Sequence, residues 1–573
     1  MILLIIACAL VLLAGACADD GGQEAGATPA HQRGGTLTVL AKGDVDFIDP
    51  GLSYYQFSYL LQYALHRPLL SYRPEQTAPS PDLAAEMPRI SRDGRQVSVT
   101  IRRGVRFSPP VDREVTAADV KYAIERGFTE SVPNGYATAY FGDIEGVKAF
   151  RDGEAPDIGG ITTPDRYTLT IRLTRPVAGT VVGAMALPLT APVPEDYARE
   201  LDEDNPSTYG ERVVFTGPYM IENDRQGELT GYEAGRRIRI VRNPNWNRAT
   251  DHRPAYLDAI DVREGNSDAT AASRRILRGS SMLNGDFPPP PAVLRRAIGQ
   301  RPEQLRLVPS GGIRYISLNT TVEPFDDVEV RRAVVAAFDR EAMRLTRGGE
   351  TIGDIPTHFI PPGIPGFEQS GGARGFGLDF LANSRGDAQL AREYLRRAGY
   401  EDGRYDGDEP ILMVGTRGGV DQREAETAEA QFEKLGFEVD LRLTTQDTMY
   451  NRFCNVPDAD VAVCPNVGWA KDFQDPVTIL KPTFSGEEIQ ETNNVNWPEL
   501  DVPAINAAIE RAELISEPRR RARAFAQVNR MITEQAPAVP WLWGRQVNIR
   551  SENVRSAVDR ANATWDLSFT SVR

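Results

Sequence analysis

The stretch that decides the fold runs from Gly312 to Met343 and reads GIRYISLNTTVEPFDDVEVRRAVVAAFDREAM. Its first part, from Ile313 to Leu318, is rich in β-branched and aromatic residues and predicts a strand. Asn319 to Pro324 predicts a turn. Beyond the turn, apolar residues return at helical spacing and predict an amphipathic helix: Val330, Ala333, Val334, Ala337 and Phe338.

The start of this helix also has a sequence signal. We expect Asp326 to accept hydrogen bonds from the first-turn amides, with Glu329 reaching back as in a capping box. A strand, a turn and a helix occur in many globular proteins, so this order alone indicates only an α/β segment.

Four short blocks within the stretch carry more information: Leu318-Asn319-Thr320, Pro324-Phe325-Asp326-Asp327, Val330-Arg331-Arg332-Ala333 and Phe338-Asp339-Arg340. Together they closely resemble the signature of the extracytoplasmic solute-binding proteins of family 5, the peptide-binding components of ABC importers. The resemblance implies an α/β fold of the periplasmic-binding-protein type, class II, with two lobes joined by a hinge. It implies lobe I at residues 35–71, 206–311 and 538–573, an inserted subdomain at 72–205, and lobe II at 312–537.

The first residues look like an export signal. Ile2 to Ala16 is an apolar run too short to span a membrane comfortably and suited to the core of a signal peptide. Leu13-Ala14-Gly15-Ala16-Cys17 resembles a lipoprotein cleavage box, so we expect a signal at 1–17, lipidation of Cys17 and a flexible tether at 18–34. The alternative is a plain signal with an incidental cysteine.

Size and charge set further bounds. A chain of 573 residues exceeds one hydrophobic core and should divide into at least two lobes. Its net charge of −15 argues against a nucleic-acid partner, because that binding depends on clustered cations. With no second apolar run of spanning length, we expect an extracytoplasmic monomer held to the membrane only by its lipid.

Four cysteines are present, of which Cys8 and Cys17 belong to the signal region. Export implies an oxidising compartment, so Cys454 and Cys464 are predicted to form a disulfide. A two-cysteine metal site is the alternative, but the four histidines are dispersed along the chain. We therefore expect neither a metal nor a cofactor.

An aromatic loop follows the first predicted strand, Gly35 to Leu40. It carries Tyr54 and Tyr55, followed by Phe57 and Tyr59. By the resemblance this loop lines the ligand cleft, where aromatic side chains with polar tips bury area and keep a hydrogen bond. The alternative is the edge of an aromatic core.

The inserted subdomain is predicted to be scaffold. Alternation at Val97, Val99 and Ile101 predicts a strand, and Thr116 to Asp119 can cap a helix that runs to about Gly127. Two blocks of this segment, Arg103 to Phe107 and Thr116 to Val120, closely resemble the family's sequence at the same place.

Lobe II contains a predicted βαβ unit: a strand from Ile411 to Gly415, a helix from Glu424 to Leu435 and a strand from Phe437 to Leu443. This order predicts a parallel sheet with ligand-facing loops at the carboxyl ends of its strands. By the resemblance, Arg417 in the first such loop grips a ligand carboxylate. A solvated arginine is the alternative.

The sharpest site candidate reads Gly468-Trp469-Ala470-Lys471-Asp472-Phe473-Gln474-Asp475-Pro476. It is similar to the family's Trp-x-x-Asp-Tyr-x-x-Pro, which implies that Asp472 receives the amino terminus of a peptide beside Gly468, Trp469 and Ala470. An ammonium withdrawn from water needs such a carboxylate. Lys471 departs from the usual small residue and either pairs with Asp472 or points away, and Asp475 is expected to be a structural turn carboxylate.

The resemblance thus implies a binding protein that performs no chemistry. It would capture di- to oligopeptides through their main chain and deliver them to an ABC permease and its ATPase. The alternatives left open are an oligosaccharide, an opine or a metal chelate as ligand, or a role as solute sensor. A secreted hydrolase is remote, since the sequence contains no His-Glu-x-x-His, Gly-x-Ser-x-Gly or Walker motif.

Overall fold

The computed structural model describes residues 32–491 and 493–573. The signal segment, Cys17 and most of the tether predicted at 18–34 lie outside the described residues, so lipidation and the tether stay predictions.

The described strands are β1 (Thr36–Leu40), β2 (Leu70–Tyr72), β3 (Pro79–Pro81), β4 (Arg89–Ile90), β5 (Gln96–Thr100), β6 (Ile161–Asp165), β7 (Thr168–Arg172), β8 (Tyr219–Ile221), β9 (Tyr232–Glu233), β10 (Arg237–Arg242), β11 (Ala259–Arg263), β12 (Met282–Asn284), β13 (Leu305–Leu318), β14 (Gly353–Asp354), β15 (Ile411–Thr416), β16 (Val439–Thr444), β17 (Val463–Ala470), β18 (Ala538–Ile549), β19 (Val554–Arg555), β20 (Val558–Asp559), β21 (Thr564–Trp565) and β22 (Ser571–Val572).

The described α-helices are α1 (Gln56–Leu65), α2 (Ala117–Arg126), α3 (Gly135–Phe141), α4 (Val147–Arg151), α5 (Ala178–Ala184), α6 (Glu195–Ala198), α7 (Ala269–Arg278), α8 (Pro291–Gln300), α9 (Val328–Ala337), α10 (Arg340–Arg347), α11 (Ala388–Arg397), α12 (Gly419–Leu435), α13 (Gln446–Met449), α14 (Val477–Phe484), α15 (Pro503–Glu513) and α16 (Pro518–Glu534).

Three larger sheets organise these elements. The first sheet has the order β12-β1-β11-β10-β8, with β9 paired to β10, and it lies in the segments assigned above to lobe I. The second sheet has the order β14-β18-β13-β17-β15-β16 and lies mostly in lobe II. A four-stranded sheet, β4-β5-β7-β6, belongs to the inserted subdomain. The α/β class is confirmed, while the residue bounds of the lobes stay a prediction.

The predicted βαβ unit is present, with β15 and β16 paired in parallel from Ile411 and Val439 onward. Its helix α12 begins at Gly419 rather than at the predicted Glu424. Gly418 is the residue that immediately precedes the helix. The helix ends as predicted at Gly436, whose φ of 107° favours glycine.

Two long antiparallel strands, β13 and β18, connect the lobes. Their pairing runs from Leu305↔Ile549 to Ser317↔Ala538, and it is interrupted between Pro309 and Ile313. Val308 packs in the core of the first sheet, whereas Ile316 packs in the core of the second. The strand changes cores across this interruption, so Pro309 to Ile313 is where it passes from one lobe to the other.

The capping prediction for the opening helix is wrong by one residue. Asp327, not Asp326, precedes α9, and its carboxylate accepts from the Glu329 amide at 2.7 Å. The Glu329 side chain pairs with Arg332 at 2.6 Å instead of reaching back. By contrast, the capping box of Thr116 and Asp119 at α2 is confirmed.

The inserted subdomain packs directly against lobe II, so the lobes are closed on one another in this structure. Arg521 of α16 donates a hydrogen bond to Thr180 of α5 at 3.0 Å. Gly183 of α5 lies so close to Phe473 that an added Cβ would stand 2.5 Å from its ring. The predicted disulfide is also present, with the Cα atoms of Cys454 and Cys464 6.2 Å apart.

Candidate functional site

A cavity of about 310 Å³ lies where lobe I, the inserted subdomain, the hinge and lobe II meet. This volume is at the lower end of the range for small-molecule sites. Its walls combine five aromatic side chains with five polar or charged ones and an alanine: Tyr54, Tyr55, Gln56, Tyr59, Tyr136, Ser310, Trp469, Ala470, Lys471, Asp472 and Asn562.

Asp472 stands at this cavity just beyond the end of β17. Tyr140 of α3 donates its phenolic proton to Asp472 Oδ2 and so connects the inserted subdomain to lobe II. Within the described residues, Asp472 Oδ1 accepts no hydrogen bond, and it is left for a donor in the cavity. A carboxylate has about four lone-pair positions, so most of the accepting capacity of Asp472 is unused.

Burial changes the electrostatics of this carboxyl group. Withdrawal from water raises the pKa of Asp472 to about 7, against the opposing effects of the Tyr140 hydrogen bond and the Lys471 ammonium. Because the charged form lacks compensation here, a cationic group that entered the cavity would be attracted to it. A raised pKa in a cleft is typical of functional sites.

Lys471 does not neutralise Asp472 directly. Its ammonium donates to the Ser310 carbonyl at 3.3 Å, and its amide donates to the Gly311 carbonyl at 3.2 Å, so the side chain follows the hinge. In the described part of the chain, Lys471 forms no ion pair with Asp472. Burial lowers the pKa of Lys471 to about 8, and Asp559 and Asp472 oppose that shift.

Four aromatic rings in successive contact, which we call the aromatic ladder, cross the site from lobe I to lobe II: Tyr54, Tyr136, Tyr140 and Phe473. Tyr54 stacks on Tyr136 with centroids 5.0 Å apart, Tyr136 stacks toward Tyr140 at 6.1 Å, and Tyr140 meets Phe473 edge-on at 4.9 Å. Offset and edge-to-face pairs of this kind are favourable beyond the area that they bury. The ladder joins three parts of the fold around the carboxylate of Asp472.

The rest of the Trp469 to Pro476 segment is held by its own contacts. The Trp469 indole donates to the Thr478 carbonyl at 2.7 Å. Asp475 accepts from the Val477 amide at 2.9 Å and pairs with Arg521 through both carboxylate oxygens, at 2.7 and 3.1 Å. The structural role predicted for Asp475 is confirmed.

Five of the seven residues predicted to contact a ligand line this cavity: Tyr54, Tyr55, Trp469, Ala470 and Asp472. Gly468 does not. It pairs with Arg314 inside the sheet, where an added Cβ would stand 2.6 Å from the Ile313 carbonyl oxygen. Close strand packing therefore accounts for this glycine.

Arg417 also lies apart from the cavity. It is exposed, and its guanidinium donates to the Leu443 carbonyl at 3.0 Å. A ligand contact from Gly468 or Arg417 stays a prediction.

The sequence analysis did not identify Tyr136 or Asn562 as residues that line the cavity. For Tyr136 the sequence did contain a signal. Tyr136 and Tyr140 are four residues apart on α3, which Asn134 caps, so one helix face carries both rings. No sequence pattern around Asn562 indicates a binding residue. It lies beside the cavity next to Gln56, which is far away in sequence and donates a hydrogen bond to the Asn562 carbonyl at 2.8 Å.

Two kinds of feature are absent from the described residues: a metal-ligand cluster and a helix able to span a membrane. In residues 32–491 and 493–573, no group of three or more His, Cys, Asp or Glu side chains is placed to hold a metal ion. Over the same residues, no helix combines the length and apolar character needed to cross a bilayer.

Comparisons with known proteins place the chain among binding proteins. The sequence model described as "Bacterial extracellular solute-binding proteins, family 5 Middle" matches residues 78–491. The oligopeptide-binding protein OppA of Bacillus subtilis is 21% identical over 473 residues, which cover 82% of this chain and 80% of that protein.

Solved structures agree with this match. The clavulanic acid biosynthesis oligopeptide binding protein 2 is 27% identical with a TM-score of 0.82, over 95% of this chain and 96% of that one. The periplasmic binding protein DppA from Helicobacter pylori, in complex with the peptide STSA, is 19% identical with a TM-score of 0.71, over 94% and 98%.

Proposed function

Because this chain belongs to the bacterial extracellular solute-binding proteins of family 5, we propose that it captures short peptides and delivers them to an ABC permease with its ATPase. The observation that carries the proposal is the Asp472 carboxylate, which lines a cavity between two lobes and has one oxygen that accepts no hydrogen bond from any described residue. A peptide amino terminus supplies the missing partner, since its ammonium offers three donors.

The surroundings of Asp472 favour such a ligand. Asp472 is only partly exposed to solvent, and reduced access to water strengthens a charge-assisted hydrogen bond inside the cavity. Tyr54, Tyr55 and Trp469 add apolar surface with polar tips, a wall that accepts side chains of different chemistry. Main-chain groups of Trp469 and Ala470 are proposed to hold the peptide backbone in the manner of an added strand.

The hinge provides entry and release. Strands β13 and β18 both run past the interruption at Pro309 to Ile313, and Gly311 within it has a φ of 69° that favours glycine. A few residues that absorb backbone rotation are enough for two lobes to open and close on a ligand. Closure then brings Tyr140 and Asp472 together around the peptide.

The remaining parts of the proposal concern location and partners. Cys17 is proposed to carry a lipid that holds the monomer at the outer face of the membrane, with the permease as its docking partner. The protein performs no chemistry and needs no cofactor in this account.

A calorimetric comparison of two ligands tests the proposal. We expect Ala-Ala-Ala to bind and its N-acetylated form to bind about tenfold to hundredfold more weakly, since acetylation removes the charged partner of Asp472. Equal affinities would contradict amino-terminal recognition, and no binding of either peptide would contradict peptide capture.

A further inference from the structure

Lys471 is a cationic group in the ligand cavity that amino-terminal recognition does not use. It lines the main cavity together with Asp472, and it also lines a smaller one of about 80 Å³ on its other side, beside Gly311 and Arg560. Its side chain therefore forms part of the wall between the two spaces.

The ammonium of Lys471 keeps hydrogen-bonding capacity for a ligand. It has three donors, and within the described residues it uses one of them, on the Ser310 carbonyl at 3.3 Å. The hinge holds the stem of the side chain, because the atoms of Lys471 pass within 3 Å of the position that a Gly311 Cβ would take. The charged end is thus fixed in place and only partly satisfied.

Neighbouring acids do not complete its coordination. Asp559 organises its own turn, with Oδ1 accepting from the Ala561 amide at 2.9 Å and the Asn562 amide at 3.0 Å. Its Oδ2 accepts from the Asn562 side chain at 2.6 Å. Asp472 uses one oxygen for Tyr140. Both acids act on Lys471 through space, and no direct ion pair to either is formed in the described part of the chain.

We infer that Lys471 selects peptides whose first residue is acidic, an inference that rests on the proposed peptide function. The ligand ammonium meets Asp472 while the carboxylate of an Asp or Glu side chain in the same residue meets Lys471. Lys471 and Asp472 line the same cavity, and their charges act on one another through space. The pair of opposite charges on the ligand then faces a pair of opposite charges on the protein.

The same arrangement disfavours other first residues. A Lys or Arg there would bring a second cation beside the Lys471 ammonium, and like charges in a space of low dielectric repel strongly. A neutral first residue would leave the unused donors of Lys471 without an acceptor when closure removes water. The discrimination comes from repulsion and lost pairing as much as from attraction.

Calorimetry on the whole chain at pH 7 tests the inference with three peptides. Lys471 is charged at this pH because burial lowers its pKa only to about 8. We expect Glu-Ala-Ala to bind about tenfold more tightly than Gln-Ala-Ala, which has the same shape without the charge. Ala-Glu-Ala, with the charge moved by one residue, should bind like Gln-Ala-Ala.

Substitution of the lysine adds a second test. Lys471→Gln should bring the affinities for Glu-Ala-Ala and Gln-Ala-Ala within about twofold of one another. The matched control Lys434→Gln removes an exposed lysine at the far end of α12 and should keep the preference. If Lys471→Gln fails to fold, the three-peptide comparison on the unaltered chain still decides the question.

The possible results distinguish the preference for an acidic first residue from peptide capture itself. A preference for Glu-Ala-Ala that Lys471→Gln abolishes and Lys434→Gln keeps supports the inference. Equal affinities for Glu-Ala-Ala and Gln-Ala-Ala overturn it and leave peptide capture standing. Failure of all three peptides to bind overturns both.

Discussion

Two aspartates three residues apart in one loop have opposite surroundings. Asp475 is paired with Arg521 through both oxygens and accepts a main-chain amide as well. Asp472 lies at a cavity and accepts a hydrogen bond from one phenol, while its other oxygen has no donor within the part of the chain that the structure describes. The difference shows how a chain separates stability from binding: a carboxylate with complete partners fixes the loop, and one with incomplete partners is available to a ligand.

The largest expected effect concerns the carboxylate with complete partners. Asp475→Asn should lower the free energy of unfolding by about 3 kcal/mol, because it leaves the buried Arg521 guanidinium without its counter-ion. Chemical denaturation measures this loss. The control Asp402→Asn alters an exposed carboxylate and should change stability by less than about 0.5 kcal/mol.

If the two aspartates differ in this way, replacing Asp472 by asparagine should not lower the free energy of unfolding as replacing Asp475 does. Because the pKa of Asp472 is raised from its ordinary 3.8 to about 7, its ionisation opposes folding. The stability that this group contributes is complete below pH 3.8 and is lost as the pH rises to about 7. Asp472→Asn should therefore gain stability relative to the unaltered protein over that interval, and an equal loss in both variants would remove the contrast.

The next effect is the pH dependence of ligand binding. Affinity for Ala-Ala-Ala should be roughly tenfold lower at pH 6 than near pH 7.5, because Asp472 must lose its proton and the peptide amine must keep its own. Burial raises the pKa values of the neighbouring phenols of Tyr140, Tyr54 and Tyr136, so these stay neutral over that interval. Lys471, whose pKa burial lowers to about 8, loses part of its positive charge toward pH 7.5. Calorimetry across this range checks it, and Asp472→Asn should flatten the profile.

The smallest effect sharpens the role of the one partner that Asp472 has. Tyr140→Phe removes the phenolic hydrogen bond and should weaken peptide binding about fivefold at pH 7. Since that bond lowers the pKa of Asp472, the midpoint of the pH profile should also move upward. A weaker affinity with an unmoved midpoint would mean that Tyr140 only supports the packing of the lobes.

Much of this architecture could be predicted from local signals. The alternation of β5, the capping box at α2 and the end of α12 at Leu435 each depend on neighbours in sequence, and the structure confirms them. The capping error at α9 has the same origin, since two adjacent aspartates offer equivalent carboxylates and only the backbone decides which one caps.

The site was less accessible to sequence reasoning. The motif around Trp469 identified Asp472, but Tyr140 is 332 residues away and Asn562 belongs to the C-terminal segment. The direction of Lys471 depends on a carbonyl of the hinge, which no pattern within its own loop indicates. Contacts made by the closure of two lobes have no local signature, so only the assembled fold could place them.

The most direct test of the central claim is the affinity of Ala-Ala-Ala for Asp472→Asn measured beside Asp402→Asn. The account predicts a loss of about tenfold to hundredfold in the first variant and none in the second, because only the first removes the charged acceptor from the cavity. Unchanged affinity in a folded Asp472→Asn protein would contradict it.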